Sequence, residues 1–204
     1  MSASTAPKSA RRKSRELAFQ GIYEWLIAGS DAGAIEAFLH ERYPTIKLDD
    51  EHFQSLLHGA LADAGALDAL IQPHIDRQTS ELSPVEHALL LMGTFELQRH
   101  PNVPYRVVIN EAVELGKVYG GTDGYKYVNG VLDRIAAVVR KTEVEAANQS
   151  HPQEPRAADD SPPPNPYANV PVSRKAKAPI TSKGRAAASS PRRASASPRT
   201  PRKD

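Results

Sequence analysis

Beyond Ser150 this 204-residue chain has one aromatic residue, Tyr167, and its apolar content is mostly alanine, while eleven of its seventeen prolines lie there. Pro162, Pro163, Pro164 and Pro166 forbid helix locally. A segment so poor in large apolar groups cannot offset the entropy of ordering its own backbone. The sequence therefore predicts a disordered C-terminal tail. Residues 1–8 read as equally loose, which leaves about 135 residues to fold, enough for one hydrophobic core.

Charge divides the chain in the same way. The stretch from Ser150 to the end holds eleven Lys and Arg against four acids, a net +7. Lys8, Arg11, Arg12, Lys13 and Arg15 precede the first acid of the chain, Glu16. Residues 16–149 then carry ten Lys and Arg against twenty acids, a net −10. The modest +2 of the whole chain is the sum of a basic arm, an acidic body and a basic tail.

Several classes are excluded. With no cysteine there is no disulfide scaffold, no Cys-based zinc site and no thiol nucleophile, which also fits a reducing compartment. The basic start lacks a signal-peptide core, because Glu16, Gln20 and Glu24 interrupt the apolar residues there. No apolar run reaches the roughly 18 residues that a membrane span needs. A soluble, cytoplasmic protein without a membrane partner is expected.

The body has helical periodicity throughout. Leu17, Ala18, Gly21, Ile22, Trp25 and Leu26 form one apolar stripe. A short helix is predicted over 32–42, ended by Pro44, and Asp49, Asp50 and Glu51 load negative charge at the start of a third. Gly65 is read as the break before a fourth piece that reaches about Pro73. Ser83, Pro84 and Glu86 combine an N-cap, a first-position proline and a capping-box carboxylate, and the apolar run behind them predicts the most buried helix. Pro104 opens the next helix, Gly120 and Gly121 stop it, and a last helix starts at Thr122 or Asp123. No segment alternates with period two between hairpin turns. The predicted class is all-α, a bundle of about six to seven helices.

Catalytic patterns are missing. His40 and Glu41 lack a second histidine four residues after the first, and His52 and His58 are six apart, off a common helix face. Gly116 and Lys117 have no glycine five residues upstream, so no phosphate loop forms. The carboxylates read as solvated helix faces. No metal, no cofactor and no enzyme activity are expected.

Binding chemistry is better represented. Arg11, Arg12, Lys13 and Arg15 sit at the positive end of a helix, where each cation costs roughly 0.3–1 kcal/mol. Locally costly features often serve function. Arg11, Arg15, Phe19 and Tyr23 follow at intervals of four, so cations and rings share a face suited to single-stranded nucleic acid. The same residues also fit a basic disordered terminus with Phe19 in the core. Asp123, Lys126 and Tyr127 can share one side of a first helical turn. They equally fit a helix cap with Tyr127 packed inward.

Three blocks, LSPVE at 82–86, VPYRVVINEAVELGK at 103–117 and KYVNGVLD at 126–133, follow an opening RRKSRELAFQGIYEW at 11–25. Together they resemble the NusB family of bacterial transcription antitermination factors, from about Arg11 to Arg140. The resemblance implies two small helical subdomains that bind boxA RNA of ribosomal RNA leader transcripts. It implies the tenth small-subunit ribosomal protein, NusE, as partner and the RNA polymerase antitermination complex as destination. The family includes homodimers, so a second copy is also an implied partner.

By the same resemblance Arg11, Arg12, Lys13 and Arg15 belong to the basic RNA-binding motif, and Asp123, Lys126 and Tyr127 to the RNA edge. Tyr23 and Glu86 match positions at or near the partner surface, in conflict with the capping role that the local sequence gives Glu86. Leu91 departs from relatives that carry a cation in the long helix. The boundaries that follow are a flexible arm over 1–10, a helical RNA-binding domain over 11–145 and a disordered basic tail over 146–204. The tail's Ser-Pro-Arg and Thr-Pro-Arg pieces fit either a solubilising, lineage-specific extension or a segment that adds sequence-blind affinity for RNA or DNA by counterion release. A nucleoid-type DNA-binding protein, suggested by the tail, is one rival; a fragment of a ribosomal RNA methyltransferase, to which such domains are also fused, is the other.

Overall fold

The computed structural model describes residues 8–150; the remainder of the predicted arm and tail lies outside the described residues. Eight α-helices follow in order: α1 Lys8–Ala28, α2 Ala32–Arg42, α3 Asp50–Ala62, α4 Ala64–Ile71, α5 Pro84–Arg99, α6 Tyr105–Tyr119, α7 Gly124–Val139 and α8 Lys141–Ser150. Two short 3-10 turns, Gln72–His74 and Thr79–Glu81, connect α4 to α5. Among the described residues there is no strand, as the sequence predicts.

Local chemistry sets most boundaries. Asp31 caps α2 by accepting from the Gly33 and Ala34 amides, and Asp49 caps α3 by accepting from His52. Asp50 and Glu51 then place negative charge at the positive end of α3. Ser83 accepts from the Glu86 amide, and Pro84 occupies the first position of α5, where a missing N–H costs nothing.

α5 is the centre of the bundle. Every residue from Ala88 to Leu97 is buried, because α1, α3 and α4 pack against it along with α6 and α7. A helix apolar on all sides has to be enclosed in this way. One continuous core runs from Ile22 on α1, through Phe53 and Leu57 on α3 and Leu89 on α5, to Val131 and Ile135 on α7.

The structure departs from the sequence reading in three places. The α3–α4 break falls at Asp63, not Gly65: the Asp63 amide donates to Gly59 and its carbonyl accepts from Leu67. Gly65 is exposed within α4, where one glycine costs only about 1 kcal/mol and does not end a helix. α1 begins at Lys8, inside the segment predicted to be a loose arm. The bundle also exceeds the expected six to seven helices, because α8 extends five residues into the segment 146–204 expected to be disordered.

α8 has only Val144 and Ala147 packed on the core. What seats it is Arg140 at the α7–α8 junction. The Arg140 guanidinium donates to the Leu97 carbonyl and to those of His100 (2.7 Å) and Pro101 (3.2 Å), satisfying acceptors at the end of α5. It also pairs with Glu143 in the first turn of α8 at 3.0 Å. No helix among the described residues is long and apolar enough to cross a membrane.

Candidate nucleic-acid interface

The basic motif lies on the first turns of α1, which are pinned to the start of α3. Ser14 is fully buried; its hydroxyl accepts from the Asp49 amide (2.9 Å) and donates to the Asp49 carbonyl (2.7 Å). Arg11 Nε donates to the Asp49 carboxylate at 3.1 Å. Burial pushes that carboxyl up, but the His52 amide and Arg11 outweigh it and hold Asp49 below its ordinary value. Arg12 and Lys13 are exposed, and Lys13 reaches Glu16 at 2.7 Å. Arg11, Arg12 and Lys13 thus sit on a fixed helix, not on a free arm.

Arg15 does not share their situation. Its side chain is 5% exposed, and its Nε and Nη2 donate to both oxygens of Glu96 on α5, the closest contact being 2.6 Å. His52 Nε2 lies 3.2 Å from the same carboxylate. Burial alone would push Glu96 up, yet His52 and Arg15 bring it down to about 2. Arg15 is therefore a buried ion-pair partner, and its expected exposure on an RNA face is corrected. Phe19 is buried as well, against the Tyr119 ring at 5.2 Å. The face expected to carry both cations and rings is turned inward at Arg15 and Phe19, where α3, α5 and α6 meet α1.

The second cluster, at the start of α7, divides in the same manner. Asp123 occupies the N-cap position without a side-chain cap bond; its carboxylate instead meets Lys126 Nζ at 2.7 Å, and both side chains face solvent. Tyr127 is 1% exposed, so it packs inward and is not a surface stacking ring. Burial, then the charge of Asp76, pushes its hydroxyl up to about 12. Asp76 and Arg77 lie beside that hydroxyl. Tyr127→Phe keeps the packed ring and removes only the hydroxyl, so it is expected to change stability by no more than about 1 kcal/mol in urea unfolding, with RNA affinity untouched.

Glu86 also lies inside, 2% exposed. Its Oε2 accepts from the Ser83 hydroxyl at 2.7 Å, and burial pushes its carboxyl above the ordinary value. Its Oε1 faces the start of α7: a β-carbon on Gly124 would stand 3.0 Å from it, so any larger residue there would push the carboxylate aside. The capping role is the one the geometry displays, and direct partner contact by this buried carboxylate is corrected. Tyr23 differs, at 39% exposure. It borders an apolar groove of about 420 Å³ with Phe19, Ile35, Phe38, Val85 and Tyr119, and Glu24 and Gln20 on the polar side.

The sequence reading missed the residues that hold Arg15, Glu96 and His52. A signal was present, because Glu96 is a lone carboxylate inside the apolar run of α5. It also passed over Lys117 and Tyr125, which flank the α6–α7 turn.

The NusB family model matches residues 12–137, more than half of the chain. The chain belongs to the NusB family. Among its NusB relatives, the transcription antitermination protein NusB of Cupriavidus pinatubonensis is 56% identical over 144 residues, covering 71% of this chain and 86% of the relative. That of Paraburkholderia xenovorans is 56% identical over 142 residues, covering 70% and 99%. The solved NusB of T. maritima superimposes with a TM-score of 0.59 at 28% identity, covering 68% of this chain and 99% of that one. A solved complex of antitermination factors NusB and NusE with double-stranded RNA matches with a TM-score of 0.60 at 28% identity, covering 65% and 99%. Leu91 is 1% exposed and is part of the α5 core, so it offers no polar contact.

Proposed function

We propose that this NusB-family chain is a cytoplasmic, non-enzymatic RNA-binding antitermination factor. It binds boxA-type RNA of ribosomal RNA leader transcripts together with the tenth small-subunit ribosomal protein, NusE, and delivers that RNA to RNA polymerase. The observation that carries this reading is the fixed cationic turn on an otherwise acidic body, with Arg12 and Lys13 exposed and Arg11 half-buried beside them. The solved complex of NusB and NusE with RNA, similar in fold, supports it.

Charge supplies the mechanism. Acidic surface repels phosphate, so RNA is confined to the basic turn of α1 and the Asp123–Lys126 edge of α7. The remaining acidic surface is complementary to a basic ribosomal protein. Arg15 and Tyr127 act beneath these edges as positioning residues, one holding α1 on α5 and the other seating the first turn of α7. Tyr23 and its groove take the protein partner; Glu86 supports the groove through its neighbour Val85. The region 151–204 adds sequence-blind RNA affinity. A homodimer is a storage form if it covers the basic turn.

Co-elution of the chain with purified NusE tests the partner assignment. Tyr23→Ala is expected to weaken that complex by about tenfold, as loss of an aromatic anchor does. Equal affinity in Tyr23→Ala would remove the groove from the partner surface.

A further inference from the structure

The turn between α6 and α7 carries an aromatic ring and two ammonium groups in one small patch. Tyr125 is half-buried in the first turn of α7. Lys117, from the last turn of α6, lies 5.6 Å from its ring centre, and Lys126 lies 5.9 Å from it. Both lysine side chains are exposed, at 47% and 64%. Each also meets a carboxylate at 2.7 Å, Lys117 with Glu114 and Lys126 with Asp123. The ammoniums are thus held close to the ring while staying free to move, since exposed pairs of this kind are weak.

The platform beneath the ring is rigid. Gly116 is buried under Tyr125: a β-carbon there would stand 3.1 Å from the Tyr125 β-carbon and 3.2 Å from its α-carbon. α6 and α7 therefore meet backbone against side-chain root at this point. Tyr119, two residues after Lys117, donates its hydroxyl to Glu16 of α1 at 2.9 Å and packs on Phe19. The end of α6 is by this means fixed to α1 beside the basic turn.

The patch and the basic turn are also joined electrostatically. The Lys117 hydrogen bond, with the charges of Lys117 and Arg12, holds Glu114 below its ordinary value. Arg12 contributes in the same sense at Glu16, as do Lys13 and Tyr119. Arg12 is thus near enough to act on both the carboxylate that pairs with Lys13 and the one that pairs with Lys117.

We propose that Tyr125 is a base-stacking position of the RNA face, with Lys117 and Lys126 pairing with the phosphates on either side of the stacked base. Every base has a π-face that the accessible part of the Tyr125 ring can cover, and lysine ammoniums follow the backbone. The ring that was expected at Tyr127 is supplied instead by Tyr125, two residues earlier and on the solvent side. The inference rests on the RNA reading given above.

The test uses the full chain and a boxA-type single-stranded RNA carrying 2-aminopurine at one position at a time, whose fluorescence falls on stacking. The unaltered chain should quench one position strongly. Tyr125→Ala, and Tyr125→Leu as an apolar replacement that preserves packing, should weaken binding by about tenfold and abolish that quench without changing the log–log salt slope. Tyr125→Phe should retain both. Lys117→Gln should lower the salt slope by about 0.7 and keep the quench. Unchanged affinity and quench in Tyr125→Leu, with Arg12→Ala still weakening binding, would overturn the stacking role and leave the RNA reading intact. No RNA binding by the unaltered chain would overturn both.

Discussion

Glu96→Ala is expected to lower the unfolding free energy by about 3–5 kcal/mol, as much as truncating a large core side chain. The reason is what it leaves behind. Arg15 is buried and gives both Nε and Nη2 to Glu96, so the exchange strands a guanidinium in the core with no carboxylate. Replacing both partners by apolar residues of similar volume, Arg15→Met with Glu96→Leu, should recover most of the loss, since the ion pair offsets its own desolvation only in part. Urea unfolding measures both variants. A loss below about 1 kcal/mol in Glu96→Ala would mean that water reaches the Arg15 guanidinium.

The same pair sets a pH dependence. Glu96 is held at about 2 in the folded chain, against an ordinary 4.5. A carboxyl lowered by folding contributes stability that is fully present above its unfolded value and is lost as pH falls through the folded one. Stability should therefore decline between about 4.5 and about 2. Glu96→Gln should flatten that limb, starting from a lower plateau.

The second large effect concerns binding. Neutralising Arg11, Arg12 and Lys13 together, each to Gln, should flatten the log–log salt dependence of RNA affinity by about two units, at roughly 0.7 per phosphate contact on a single strand. Near physiological salt that corresponds to roughly a 10–100-fold loss of affinity. Stability should fall by no more than about 1 kcal/mol, because Arg12 faces solvent and the Lys13–Glu16 pair is exposed, while Arg11 gives up one part-buried pair with Asp49. Arg15→Gln should behave oppositely, destabilising the fold while changing the salt slope little. If Arg15→Gln flattened the slope as much as the others, the buried pair would have to open when RNA binds.

The contrast between Arg15 and its neighbours shows what the sequence discloses. The start of α5 was legible because its cap is local: Ser83 bonds the amide three residues away, whereas the caps at Asp31 and Asp49 emerged only in the structure. The fold class was legible from periodicity, and the family from motifs that local spacing alone could not have identified. The orientation of a given helical face was not legible. A four-residue interval puts Arg11 and Arg15 on one side of α1. Only the approach of Glu96, 81 residues further along, makes one of them interior.

Tyr125 and Tyr127 repeat the lesson at α7. Both are tyrosines in one turn, and which one is fully buried and which only half-buried depends on α6 and on the Glu86 region packed beneath the turn. α8 was missed for another reason. It has no large apolar stripe, and its place is fixed by the bonds of Arg140 to carbonyls near the end of α5.

One titration addresses the central claim that the folded body is an RNA-binding surface completed by a ribosomal partner. Labelled boxA RNA and a scrambled strand of equal length would be titrated with the full chain, with and without NusE, over a series of salt concentrations. The account predicts tighter binding of boxA than of the scramble, a further gain with NusE, and a salt slope that falls by about two when Arg11, Arg12 and Lys13 are neutralised. Equal affinity for both strands, no gain with NusE and an unchanged slope in the triple variant would contradict it.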